Sequence, residues 1–194
     1  RKEFRNSEDG VGRLYPVPYN AADKPLTFQG MTMPHIAEVR YKLTGEEKGI
    51  VEVATVDDLV AAYEANGGPP MTIAVDGTNP PFGGGGPVGK GSNLNHVVTI
   101  TRIDKGPPVK VYVANQWGLN NDHSSPATAL DGKALVDNMQ LRVKVSGKTV
   151  TAPGMVLSAG DHTKGYEVKK GKIVERKGMS STIAKGREMI PGES

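Results

Sequence analysis

Two β-branched runs, VVTITRI at 97–103 and VKVYV at 109–113, joined by Asp104-Lys105-Gly106-Pro107-Pro108, constrain this chain more than any other feature. Alternation places Val97, Thr99, Thr101 and Ile103 on one face of the first run, and Val98, Ile100 and Arg102 on the other. The short Gly/Pro connection predicts an antiparallel hairpin. Such a hairpin brings the residue before its first strand, His96, to the same end as the residues after its second, Asn115, Gln116 and Trp117.

The rest of the chain is punctuated for short elements. Its 25 glycines and 14 prolines favour many turns and strands over a helical bundle. Residues 1–30 are polar and turn-rich and read as an extended segment, since each proline in YPVPYNAADKPL disfavours helix in the residue before it. A first helix is expected from Thr32, with Pro34 in its first turn, Gly45 past its end, and Ile36, Val39 and Leu43 on its apolar face. IVEVAT follows as a strand. Thr55 then reads as an N-cap, with Asp57 and Asp58 in the first turn of a helix whose buried stripe is Leu59, Ala62 and Tyr63. Gly67-Gly68-Pro69-Pro70 stops it, and MTIAV (71–75) reads as a strand covered on both faces.

A glycine-rich loop precedes the hairpin, and a third helix is expected near 131–140, with Leu135 and Met139 on one face. Residues 141–177 read as β-hairpins: LRVKV, TVTA, YEVKK and KIVERK. The expected fold class is α+β: N-terminal helices, then a C-terminal antiparallel sheet or half-barrel. One domain is expected over 31–180, with 181–194 as a tail.

Composition narrows function. The net charge is +3, and the basic stretch KGYEVKKGKIVERKG alternates with apolar residues, which predicts a solvated hairpin and not a nucleic-acid face. No apolar run approaches a membrane span. With no cysteine, disulfides and thiolate metal sites are excluded.

The hairpin end carries the chemistry. A thiol or hydroxyl nucleophile needs a neutral imidazole to take its proton, and a third group to fix the tautomer of that imidazole. His96 and Asn115 satisfy the second requirement, and Trp117 can cover their hydrogen bond and keep water away.

The pattern H-V-V-T-I…V-Y-V-A-N-Q-W-G resembles the histidine and Asn-x-Trp-Gly blocks of papain-like cysteine peptidases, over about 30 residues. The resemblance implies a papain-like fold, with His96 as general base, Asn115 as orienting amide, Trp117 as shield, and Gln116 and Gly118 completing the block. It implies no cofactor and no metal, and a peptide or protein substrate. The preceding TIAVDGTNPPFGGG is similar to the equivalent stretch of bacterial, effector- or toxin-like members, which would make the protein a secreted effector. Phe82, Gly83, Gly84 and Asn95 are then expected to border the substrate cleft.

The family's cysteine, and the glutamine preceding it, have no counterpart here. Three explanations stand. The cysteine lies on a separate segment of the same precursor, upstream of Arg1; or it has been replaced, with Ala21 and Ala22 as the available positions; or the protein is a pseudoenzyme that binds peptides or a partner. Ser92 is a poor substitute, since its glycine loop supplies no helix N-terminus for an oxyanion.

Other motifs are weaker. Gly89-Lys90-Gly91-Ser92 fails the phosphate-loop pattern, because glycine stands where Ser or Thr must follow the lysine. Asp122-His123 and Asp161-His162 lie in polar loops with no third metal ligand within reach by sequence. His35 is expected to be exposed in a helix's first turn, and Asp76 to cap a turn after its strand.

Overall fold

The computed structural model describes residues 33–77, 79–82, 96–116, 122–145 and 148–176. The expected extended segment over 1–30 and the tail over 181–194 lie outside the described residues.

The fold is α+β. Among the described residues three helices, α1 (Met33–Thr44), α2 (Val56–Ala65) and α3 (Gly132–Met139), pack on an open eight-stranded sheet. The strands are β1 (Gly49–Val53), β2 (Met71–Val75), β3 (His96–Asp104), β4 (Lys110–Ala114), β5 (Leu130–Asp131), β8 (Gly154–Ser158), β9 (Gly165–Lys169) and β10 (Lys172–Glu175). Their order is β10-β9-β1-β8-β2-β3-β4-β5. β6 (Leu141–Val145) and β7 (Lys148–Ala152) form a separate two-stranded hairpin.

This corrects the expected arrangement in three ways. The sheet is mixed, because β9 runs parallel to β1 while every other pair is antiparallel. It is open and not a half-barrel. Its centre is also not C-terminal: β1 and β2, from the first half of the chain, flank β8, a strand the sequence did not announce. All five residues of β8 are buried. Gly154 is there for close approach, since a Cβ on it would lie 2.7 Å from Met139 Cβ on α3.

Helices cover both faces. Met33 and Ala37 of α1 cluster with Ile50, Ala74, Met155 and Leu157 on one face. Leu59 and Ala62 of α2, and Leu135, Val136 and Met139 of α3, join Val51, Val53, Ile73, Val75 and Val156 on the other. Burying each of the large aliphatic side chains contributes about 1.5–3 kcal/mol.

Local chemistry explains the helix ends. Thr55 and Asp58 form a reciprocal capping box: Thr55 Oγ1 accepts from Asp58 N–H at 3.1 Å, and the Asp58 carboxylate accepts from Thr55 N–H at 3.2 Å. Gly45 follows α1 at φ 71°, and its N–H donates to Tyr41 O at 2.7 Å. Leu43, expected on the buried face of α1, is instead 63% exposed; the buried stripe runs through Met33, Ala37 and Val39.

The β3–β4 hairpin forms as expected, with one departure. A register shift between Ile100 and Arg102 makes a bulge around Thr101. Strict alternation would set Ile103 opposite Val98 and Ile100. The extra residue turns it back, and Ile103 is buried in the same cluster as those two. The basic segment is the β9–β10 hairpin, turned by Lys170 and Gly171 at φ 50° and 72°. Val168 and Ile173 pack against the core from it.

Candidate functional site

His96 opens β3 and lies opposite Val75, the last residue of β2. Asn115 follows directly on β4. Thr99 faces Ala114, so the antiparallel register brings Asn115 diagonally across from His96 on one sheet face. His96 Nε2 and Asn115 Oδ1 are 2.8 Å apart, and the bond is buried. An amide oxygen only accepts, so the Nε2 proton donates to it and the lone pair resides on Nδ1. The tautomer of His96 is therefore set by Asn115.

Burial pushes the His96 pKa below the ordinary imidazole value, and the hydrogen bond that the ring donates to Asn115 offsets part of that fall. The neutral form of the ring therefore predominates at pH 7. Stability follows the same sign. Above the unfolded-state value near 6.5 the ring is neutral in both states. As pH falls from there towards the folded pKa, the unfolded chain binds a proton that the folded chain refuses, so folding weakens. His96→Gln, which cannot titrate, is expected to lose less stability than wild type between pH 6.5 and 5. Urea denaturation at both pH values measures this, and equal losses would contradict it.

The Asn115 side of the pair is held by its surroundings. The backbone N–H of Asn115 donates to Asp122 Oδ1 at 3.3 Å. The Ser124 hydroxyl, which donates to the same carboxylate, holds Asp122 below the usual carboxylate range, and the Asn115 N–H adds to that effect. Val113 and His123 exchange both backbone hydrogen bonds at 3.0 Å, which fixes the returning loop along β4. The Gln116 amide lies 3.5 Å from Val97 O, a long contact across the hairpin end. Trp117 and Gly118 lie outside the described residues, as do Gly83, Gly84, Asn95 and the Gly89–Ser92 motif.

The segment after β2 runs past the same end of the sheet. Asn138, near the end of α3, clamps it: Oδ1 accepts from Asp76 N–H at 3.0 Å, and Nδ2 donates to Asp76 O at 3.1 Å and Pro80 O at 2.9 Å. The Asp76 carboxylate accepts from the Asn79 side-chain amide Nδ2 at 2.6 Å. Sequence reasoning missed Asn138 and the role of Asp122. Asn138 is 62 residues from its partner in the chain, and no local pattern marks it.

Phe82 is corrected. It was expected at the cleft border but is 1% exposed, packed in the main core with its ring edge-on to His123 at 5.5 Å. The flanking proline and glycine run hides an anchoring residue. Asp122-His123 is not arranged as a metal pair. The His123 ring is placed between two backbone carbonyls, with Nδ1 2.9 Å from Thr128 O and Nε2 3.3 Å from Pro81 O.

Comparison with protein-family models, with curated proteins and with solved structures finds no match to this chain. Among the described residues, no helix is long and apolar enough to cross a membrane.

Proposed function

We propose that this chain carries the His–Asn half of a papain-like cysteine peptidase or amidase site. The observation that supports this reading most is the buried 2.8 Å bond between His96 Nε2 and Asn115 Oδ1. It leaves Nδ1 as the basic nitrogen of a neutral ring, in the order and at the hairpin spacing that the resemblance requires.

In this reading Nδ1 takes the proton of a cysteine thiol, and the thiolate attacks the carbonyl carbon of a peptide or glutamine amide. His96 returns the proton to the leaving nitrogen, then activates water to release the acyl group from sulfur. Asn115 accepts the Nε2 proton throughout and keeps the ring aimed. Trp117 and Gly118 complete the block, and Gly83, Gly84 and Asn95 border the cleft. Substrates are peptides or proteins, and a secreted bacterial effector is the setting the resemblance favours.

The thiol itself is not in this chain, which has no cysteine. It belongs to a segment of the same precursor or to a position since replaced. That absence also favours a second reading, in which the scaffold binds peptides or a partner protein without cleaving them. The complete product of the encoding gene separates the two. Incubated with denatured casein and glutamine-containing peptides, it is expected to cleave amide bonds in an iodoacetamide-sensitive way. A product that lacks any cysteine and retains peptides uncleaved would favour the binding module instead.

A further inference from the structure

A second cluster lies at the opposite end of the sheet. β1 and β3 are separated by β8 and β2, with antiparallel pairing at each step. The start of β1 is therefore at the end away from His96. There the loop between α1 and β1 meets the loop between β8 and β9, because β9 lies parallel beside β1. Glu47 comes from the first loop, Asp161 and His162 from the second.

One donor atom from each of these three residues falls within 4.8 Å of the other two. His162 Nδ1 is 2.7 Å from Glu47 Oε2 and 4.0 Å from Asp161 Oδ1. The other ring nitrogen, Nε2, points inward, 3.2 Å from the carboxylate of Glu38, which is buried on α1. Tyr41, also on α1, stacks on the imidazole at 4.0 Å and 14°. The ring is thus fixed in both rotation and tilt. The Asp161 side chain is set as well, since its Oδ1 accepts from Thr163 N–H at 2.7 Å and Thr163 Oγ1 at 2.6 Å. Tyr166 Oη accepts from Asp161 N–H at 2.8 Å and pins the loop.

An imidazole whose inner nitrogen lies 3.2 Å from a buried carboxylate, and whose outer nitrogen converges with two further carboxylates, matches how metal-binding histidines are commonly oriented. We propose that Glu47, Asp161 and His162 bind a divalent transition-metal ion of the zinc class, with Glu38 as the outer carboxylate that orients the histidine. One nitrogen and two carboxylate ligands suit zinc and leave a fourth position for water. The imidazole disfavours calcium and magnesium, which take oxygen ligands. On binding, the Nδ1 lone pair forms the bond to the metal, and any proton on Nδ1 leaves to solvent. The ion then staples two loops whose ligands are 115 residues apart in the chain.

The site is independent of the proposed hydrolase chemistry and is tested without an activity assay. The chain is stripped with a chelator, exchanged into chelator-free buffer, and titrated calorimetrically with zinc chloride. The expected result is one zinc ion per chain, no saturable heat with calcium chloride, and a melting temperature that rises with zinc concentration. His162→Gln is expected to weaken binding at least about 100-fold, and Glu38→Gln roughly 10–100-fold through the ligand it orients. His123→Gln is the control and is expected to bind like wild type. Should His162→Gln fail to fold, Glu47→Gln, at an exposed position, carries the same test with an expected loss of about tenfold or more. No stoichiometric zinc binding by wild type, or affinity unchanged in both ligand variants, would overturn the proposal and leave the cluster as an ion-pair lock between the loops.

Discussion

His96→Ala is expected, on the hydrolase reading proposed above, to lower amide hydrolysis by the full gene product roughly 10²–10⁴-fold, the usual contribution of a general acid–base group. The expectation rests on geometry. His96 is 6% exposed, its Nε2 is committed to Asn115, and its pKa is lowered by burial, so the neutral ring predominates at pH 7. Asn115→Ala is expected to fall less far and in a different manner. The imidazole remains but loses the acceptor that selects its tautomer, so kcat drops while KM moves little. The measurement is steady-state hydrolysis of a peptide amide by both variants, each first shown to be folded. Unchanged hydrolysis by His96→Ala would remove the histidine from the mechanism.

Phe82→Ala carries the second large effect, on stability and not on catalysis. The ring is fully buried in the same cluster as Val75, Val98 and Leu135, and deleting it leaves a cavity where it met the perpendicular ring of His123. The expected cost is about 3–5 kcal/mol, which lowers the melting temperature by on the order of 10 °C in a domain of this size. Phe82→Leu, which keeps most of the volume, is expected to lose less than half of that. A cleft residue would behave differently. Its truncation would leave the melting temperature near wild type, and the loss would appear in substrate affinity.

The contrast between His96 and Phe82 shows how far the sequence could be read. The β3–β4 hairpin was legible because its two runs, its turn and its end residues are contiguous in the chain, and pairing across a hairpin needs no distant information. The α2 cap was legible for the same reason: Thr55 and Asp58 satisfy each other's backbone within one turn. Phe82 was misread because prolines and glycines around it signal loop, and only packing reveals that a loop has dropped a ring into the core. β8 was missed because it starts at a glycine after Pro153 and its burial depends on insertion between β1 and β2, strands some 80–110 residues upstream. The bulge at Thr101 returned Ile103 to the core against simple alternation. Glu47 could not have been joined to Asp161-His162 in advance, since the parallel β1–β9 pairing that brings them together is a property of the whole sheet.

Nitrogen-resolved NMR of the His96 side chain, followed from pH 8 to pH 5, tests the central claim most directly. The expected result is a neutral ring at pH 7 with its proton on Nε2 and none on Nδ1, and a titration midpoint below 6.5. A ring protonated on Nδ1 alone, or one already charged at pH 7, would contradict it.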